Sequence, residues 1–135
     1  MLFRSPPDTL PEFFPRITRL LDEYNLIYNM HGHAGNGNFH IIPLMDLGSP
    51  LAGEKILELS TKVYDMVISY GGSIDAEHND GIIRTPYLST MFGPEVYQLF
   101  EKIKIYFDPQ NIFNPGKKVG GTKQDILYAF PKLTK

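Results

Sequence analysis

The 135-residue sequence contains no cysteine, which excludes disulfides, thiolate metal ligands and cysteine nucleophiles and fits a reducing compartment. It has no stretch approaching the roughly 20 apolar residues that span a bilayer, and its beginning, MLFRSPPDTLPEFFP, lacks a signal-peptide pattern. It also lacks an excess of positive charge, since 13 Lys and Arg against 15 Asp and Glu give a net charge of −2. That balance argues against nucleic acid or an anionic membrane as a partner. We therefore expect a soluble, cytoplasmic protein with no transmembrane segment.

Hydrophobic periodicity separates helical segments from strands. It predicts a helix over residues 11–24, strands over 26–33 and 38–45, a second helix within 49–72 and a third over 93–107. The apolar residues expected on one face of the third helix are Val96, Leu99, Phe100, Ile103 and Phe107. These elements indicate an α+β fold, a small antiparallel sheet packed with two to three long helices in a partial ferredoxin-like arrangement. We expect an extended segment over residues 1–10, one domain over 11–120 and a tail over 121–135.

Three of the four histidines lie in MHGHAGNGNFH, around a strong hairpin signal, Asn36-Gly37. If those two residues form the loop, His33 and His40 face each other across the strands. Directly opposed residues have Cβ atoms about 4.5–5.5 Å apart, which lets two imidazoles share one metal ion. The same parity places His31 and Asn38 on that face. The alternative is a solvent-exposed hairpin face without a ligand.

The fourth histidine, His78, follows Glu77 in AEHND. A metal held by two histidines needs a further ligand, and Glu77 is the best candidate carboxylate. In an extended segment, Glu77 and His78 point to opposite sides, so one can bind metal while the other reaches a substrate. The alternative is a surface carboxylate beside a loop histidine. GNGN does not indicate a phosphate-binding loop, because it lies between strands and no lysine with serine or threonine follows it.

Three motifs occur in order: GHAGNGNFH, GGSIDAEHNDGIIRTPYL and FDPQNIFNPGKKV. Together they resemble the C-terminal part of the FAD-linked oxidases of the vanillyl-alcohol oxidase type, in particular the D-2-hydroxyacid dehydrogenases. That branch includes D-lactate dehydrogenase, the glycolate oxidase catalytic subunit and D-2-hydroxyglutarate dehydrogenase. The resemblance covers about residues 10–120.

The resemblance implies roles for particular residues. His33, His40 and Glu77 would be the metal ligands, His78 the catalytic base, and Asn38 a contact to the substrate.

The third motif would place Asn114 and Lys117 near the flavin. The sequence departs from the family pattern at Asn36, where aspartate is usual, and at Asn79, a position often held by glycine.

The reaction implied is oxidation of a D-2-hydroxy acid to the 2-oxo acid, with FAD as acceptor and a divalent metal, zinc or alternatively manganese or iron. Family members are several times longer, so the resemblance implies a fragment or a subunit completed by a FAD-binding domain or partner chain. We expect the isolated chain to be inactive, to hold flavin weakly or not at all, and to form a homo-oligomer through uncovered strand edges and apolar faces.

Two other functions stay open. A flavin-independent metal-binding module or hydrolase would use the same histidines and Glu77, but it leaves FNPGKK unexplained. A degenerate fragment that serves only in assembly would bind no metal.

Overall fold

The computed structural model describes residues 1–129. They form two compact units, the first covering Met1–His78 and the second beginning at Asn79. The predicted tail lies outside the described residues from position 130 onward. None of the helices in the described part is long and apolar enough to cross a membrane.

The first unit is a three-stranded antiparallel sheet with two long helices. Its elements are β1 (Leu2–Arg4), α1 (Leu10–Glu23), β2 (Ile27–His33), β3 (Asn38–Leu44) and α2 (Ala52–Ser69). The strand order is β1-β3-β2, so β3 is central. This confirms the α+β class and the small antiparallel sheet.

One face of the sheet is packed with aromatic rings. Phe3 and Phe39, paired across β1 and β3, both point to this face. The ring of Phe3 lies 5.1 Å from that of Phe13 on α1, and Phe14 meets Phe39 edge-on at 4.7 Å. Phe3, Phe13 and Ile41 are fully buried. Burying a side chain of this size stabilises a fold by about 1.5–3 kcal/mol, which explains why a strand as short as β1 joins the sheet.

The hairpin register differs from the predicted one. The loop is a 3₁₀ turn over Ala34–Asn36 followed by Gly37 in the left-handed conformation, with φ +65°. The first pair after it is His33 with Asn38, and His40 lies opposite His31. The prediction that His33 faces His40 is therefore wrong. The observed register differs from the predicted one by two residues, so each side chain keeps its predicted face.

Tertiary contact selects this wider turn. The amide N of Ser5, just after β1, donates to the carbonyl of Gly37 at 2.9 Å. A Cβ on Gly37 would lie 1.7 Å from the carbonyl O of Ser5. The loop is thus set by a segment 32 residues away (37 − 5), which local turn preferences do not include.

The second unit is helical. It contains α3 (Gly81–Arg84), a 3₁₀ turn (Thr85–Tyr87), α4 (Leu88–Phe92), α5 (Pro94–Phe107) and α6 (Lys123–Ala129). Lys118, in the segment between α5 and α6, contacts the first residues of this unit. Its N–H donates to Thr85 Oγ1 at 2.7 Å, and its ammonium pairs with Asp80. The helix predicted over 93–107 is present. However, α5 contains no buried residue, so its apolar residues are not part of a core in the described residues.

Candidate functional site

The carboxylate of Glu77 is held against the open face of the sheet. After α2 the chain pairs with β1 through two backbone hydrogen bonds between Arg4 and Ser73, at 2.8 and 2.7 Å. Four residues later, Glu77 Oε2 accepts a hydrogen bond from Asn38 Nδ2 at 3.1 Å, and its Oε1 lies 3.0 Å from His40 Nε2. Strand β3 and the segment after α2 therefore bring together residues nearly 40 positions apart.

Two imidazoles contact this carboxylate, and a third stacks on one of them. His31 and His40 stack with ring centroids 5.0 Å apart and planes 4° from parallel. The ring of His78 lies 5.4 Å from that of His40, and its Nε2 is 3.4 Å from Glu77 Oε1. One ligand atom from each of His40, Glu77 and His78 lies within 4.8 Å of the other two. We call these three residues the His40 cluster.

The environment keeps Glu77 ionised. Desolvation raises the pKa of Glu77, but the hydrogen bonds from His40 and Asn38 and the charges of His40 and His78 act in the opposite direction and outweigh it. The net result is a pKa below the ordinary value of a glutamate. An ionised carboxylate beside imidazole nitrogens is the form required of a metal ligand.

Comparison with protein families decides the affiliation of this chain. Residues 5–118 match the family described as FAD linked oxidases, C-terminal domain. The chain belongs to this family.

Individual relatives agree with the affiliation of this FAD-linked oxidase domain. D-2-hydroxyglutarate dehydrogenase of Haemophilus influenzae is 37% identical over 112 residues, which cover 83% of this chain and 11% of that protein. D-lactate dehydrogenase of Archaeoglobus fulgidus is 37% identical over 84% of this chain and 25% of its own length. Glycolate oxidase subunit GlcD of Escherichia coli is 32% identical over 84% of this chain and 23% of its own length. The chain thus spans a quarter or less of the length of these relatives.

Within the FAD-linked oxidase domain, the predicted site residues of the first unit share one region. Asn38, His40, Glu77 and His78 are joined by the contacts above. His33 lies on the same sheet face, exposed and directly opposite Asn38, two residue pairs nearer the turn than His40. It is not among the residues of the His40 cluster.

Asn38 carries an unused acceptor. Its side chain is only 9% exposed, and while its Nδ2 donates to Glu77, its Oδ1 is buried without a hydrogen-bond partner among the described residues. A buried unpaired carbonyl oxygen costs free energy. The Asn38 Oδ1 therefore has an unmet hydrogen-bonding capacity, in the same amide whose Nδ2 contacts Glu77.

The two residues predicted near the flavin, Asn114 and Lys117, belong to the second unit. Asn114 has a left-handed backbone, φ 47°, and its carbonyl accepts from the N–H of Lys117 at 3.1 Å. Asn79, which replaces a glycine common in the family pattern, also has a positive φ, 61°. Asparagine tolerates that conformation better than most residues, so the departure is compatible with the local backbone.

Sequence reasoning did not include His31 among the site residues. The structure makes it the stacking partner of His40, because the register moved by two. No signal within the hairpin sequence distinguishes the two registers, since both keep the same side chains on the same face.

Proposed function

We propose that this chain is the metal- and substrate-holding part of a flavin-dependent dehydrogenase that oxidises a D-2-hydroxy acid to the 2-oxo acid. The observation that carries the proposal is the Glu77 carboxylate fixed between Asn38 and His40, beside His78, in a domain of the FAD-linked oxidase family.

In this proposal His33, His40 and Glu77 would hold a divalent metal, although His33 lies outside the His40 cluster. Two imidazoles and one carboxylate are a common ligand set for catalytic zinc, and manganese or iron accept similar ligands. The lowered pKa of Glu77 and the shared face of His33 and His40 support the assignment. A bound metal would supply Lewis-acid polarisation of the substrate oxygens.

In this proposal His78 takes the proton from the substrate hydroxyl. Imidazole is suited to this step because it exchanges protons near neutral pH. The side chain of His78 is 58% exposed, and its Nε2 is 3.4 Å from Glu77 Oε1. It therefore stands at the open side of the carboxylate, where a ligand has access.

In this proposal Asn38 helps to place the substrate; its Oδ1 accepts no hydrogen bond among the described residues, and a substrate hydroxyl would have to reach this buried atom. Because Nδ2 is engaged by Glu77, the amide has one orientation and Oδ1 one direction. FAD would supply the acceptor for the C2 hydrogen and its electron pair. Asn114 and Lys117 stay our candidates for contacts to FAD.

Other protein surfaces complete this arrangement. The chain spans 11–25% of the relatives named above, β2 has one neighbour among the described strands, and α5 has no buried residue. We propose a FAD-binding domain or partner chain as the complement. For the chain alone we expect self-association, and a monomeric mass by light scattering at high concentration would contradict that expectation.

Zinc titration of the purified full chain by calorimetry tests the site. The wild type should bind one zinc ion, and His40→Ala and Glu77→Gln should weaken binding by about tenfold or more. Glu58→Gln is the matched control, since Glu58 is an exposed carboxylate paired with Lys62, and it should bind zinc like the wild type. No zinc binding, or equal affinity in all variants, would contradict the proposal.

One observation favours a second candidate, a flavin-independent metal-binding module. His40, Glu77 and His78 alone place three ligand atoms within 4.8 Å, so His78 would then be a ligand and not a base. His78→Ala separates the two: zinc affinity is retained if His78 is the base and falls sharply if it is a ligand.

A further inference from the structure

The sheet face that carries the histidines continues as an apolar surface. Successive pairs along β2 and β3 on this face are His31 with His40, Asn29 with Ile42, and Ile27 with Leu44. Ile27, Ile42 and Leu44 are 76%, 47% and 65% exposed. We call these three residues the apolar stripe.

The apolar stripe begins beside the His40 cluster and leads away from it. Residues two positions apart in a strand are about 7 Å apart, so Ile42 lies about 7 Å and Leu44 about 14 Å beyond His40. Leu44 also lines a cavity of about 200 Å³ together with Leu26, Leu51 and Ala52. A ligand anchored at the cluster can therefore extend over Ile42 toward that cavity.

The charges on this face favour an uncharged extension. The strand residues that share the face between His40 and the cavity are histidine, asparagine, isoleucine and leucine, with no lysine or arginine. Lys55 and Asp46, of opposite sign, both line the cavity, and the Lys55 ammonium already donates to the carbonyl of Tyr24 at 3.2 Å. The nearest arginine on this face, Arg4, pairs with Asn38 on the far side of His40 from Ile42, so a second carboxylate over Ile42 would have no lysine or arginine beside it on the strands.

We propose that the apolar stripe binds the hydrocarbon substituent of the substrate, so that the preferred class is 2-hydroxy acids with an apolar chain of about four to six carbons beyond C2. The inference rests on the proposed function, because the His40 cluster must hold the hydroxy-acid end. Carbon–carbon bonds are about 1.5 Å long, so an extended chain of about five carbons spans the 7 Å from His40 to Ile42. Each methylene buried on the stripe should tighten binding by about two- to fourfold, less than for complete burial because the face is open.

The test is a titration followed by NMR on the full zinc-loaded chain carrying ¹³C-labelled isoleucine methyl groups and ¹³C-labelled histidine rings. The probes are D-lactate, D-2-hydroxyhexanoate, D-2-hydroxyoctanoate, D-2-hydroxyglutarate and octanoate. Affinity should rise with chain length among the monocarboxylic hydroxy acids. The Ile42 methyl signal should shift, while that of Ile41, which is fully buried on the opposite face, should stay in place. Hydroxyglutarate and octanoate should bind more weakly than hydroxyhexanoate and hydroxyoctanoate respectively.

Two variants make the test specific. Ile42→Asn should keep the affinity for lactate and lose most of the dependence on chain length. Leu47→Asn is the matched control, because Leu47 is 49% exposed but lies beyond the end of β3, and it should behave like the wild type.

Equal affinity for all chain lengths would overturn the inference and leave the proposed function standing. So would a length dependence that persists in Ile42→Asn, or tighter binding of hydroxyglutarate than of hydroxyhexanoate. Octanoate binding as tightly as hydroxyoctanoate would also overturn it, since the hydroxyl end would then contribute nothing. If lactate, which is too short to reach the stripe, leaves the ring signals of His40 and His78 unchanged, the proposed function fails and the inference fails with it.

Discussion

Substitution of Gly37 by alanine should destabilise the first unit far more than the same substitution at Gly71. Both glycines have left-handed backbones, with φ of +65° and +70°, so the conformational cost of alanine is similar at the two sites. They differ in the space around the missing methyl group. A Cβ on Gly37 would lie 1.7 Å from the carbonyl O of Ser5, whereas a Cβ on Gly71 meets no atom within 4 Å.

The magnitudes follow from these two terms. The left-handed conformation costs alanine about 1 kcal/mol relative to glycine, and this is the whole effect expected for Gly71→Ala. At Gly37 the Ser5 carbonyl or the turn must move by more than 1 Å to relieve the contact, which strains the hydrogen bond from Ser5 N–H to the Gly37 carbonyl. Overpacking against backbone together with that weakened bond adds about 2 kcal/mol. We therefore expect about 3 kcal/mol for Gly37→Ala.

Urea unfolding followed by circular dichroism measures both free energies of unfolding. Gly35→Ala is a further control, because a Cβ there meets nothing within 4 Å and the φ of Gly35 is not positive; it should change stability by less than about 0.5 kcal/mol. If Gly37→Ala and Gly71→Ala destabilise equally, the packing of the hairpin turn against Ser5 is wrong, and with it the reason given for the register.

Three further predictions concern the Glu77 carboxyl, the Asp108 carboxylate and the binding of flavin. The carboxyl of Glu77 should titrate by NMR with a pKa below its ordinary value of 4.5, and a normal midpoint would contradict the contacts with His40 and Asn38. Because the folded pKa is the lower one, the stability that Glu77 contributes is present above the unfolded pKa and is lost as pH falls through the folded pKa. Glu77→Gln should therefore reduce the dependence of stability on acid pH. Asp108→Asn should speed amide hydrogen exchange at Ile112 and Phe113, whose N–H groups both donate to the Asp108 carboxylate at 2.9 Å, and unchanged exchange would contradict that cap. An absorbance spectrum of the purified full chain should lack a flavin band, and a stoichiometric band would contradict the assignment of FAD mainly to protein outside these residues.

The elements that local pattern determines were predictable. The predicted helix over 11–24 corresponds to α1 (Leu10–Glu23), and the two predicted strands correspond to β2 and β3 within one residue at each end. In these segments the apolar residues repeat with the period of the structure they form, so the hydrophobic pattern contains the answer.

What depended on distant contacts was not predictable. Strand β1 has three residues, too few for a periodicity, and it exists because Phe3 packs with Phe39 and Phe13. The hairpin register depends on Ser5, and neither Asn36 nor Gly37 reports that neighbour. Likewise, no residue of α5 is buried by the other described elements, and the amphipathic pattern of the helix could not show this.

The candidate site divides in the same way. Residue identity and face were accessible from the sequence, because face depends on parity alone. The position of the Glu77 carboxylate was not, since it follows from the pairing of Ser73 with Arg4. The stacking of His31 on His40 depends on the register, and so it was missed.

We propose that this face holds a metal through His33, His40 and Glu77, and zinc titration of His33→Ala against His31→Ala separates this ligand set from one that uses the other exposed histidine of β2. Both variants remove one exposed histidine from β2, and His31 is the one stacked on His40. We predict that His33→Ala weakens zinc binding by about tenfold or more, while His31→Ala binds nearly as tightly as the wild type. Zinc affinity lost in His31→Ala and retained in His33→Ala would contradict the ligand set proposed here.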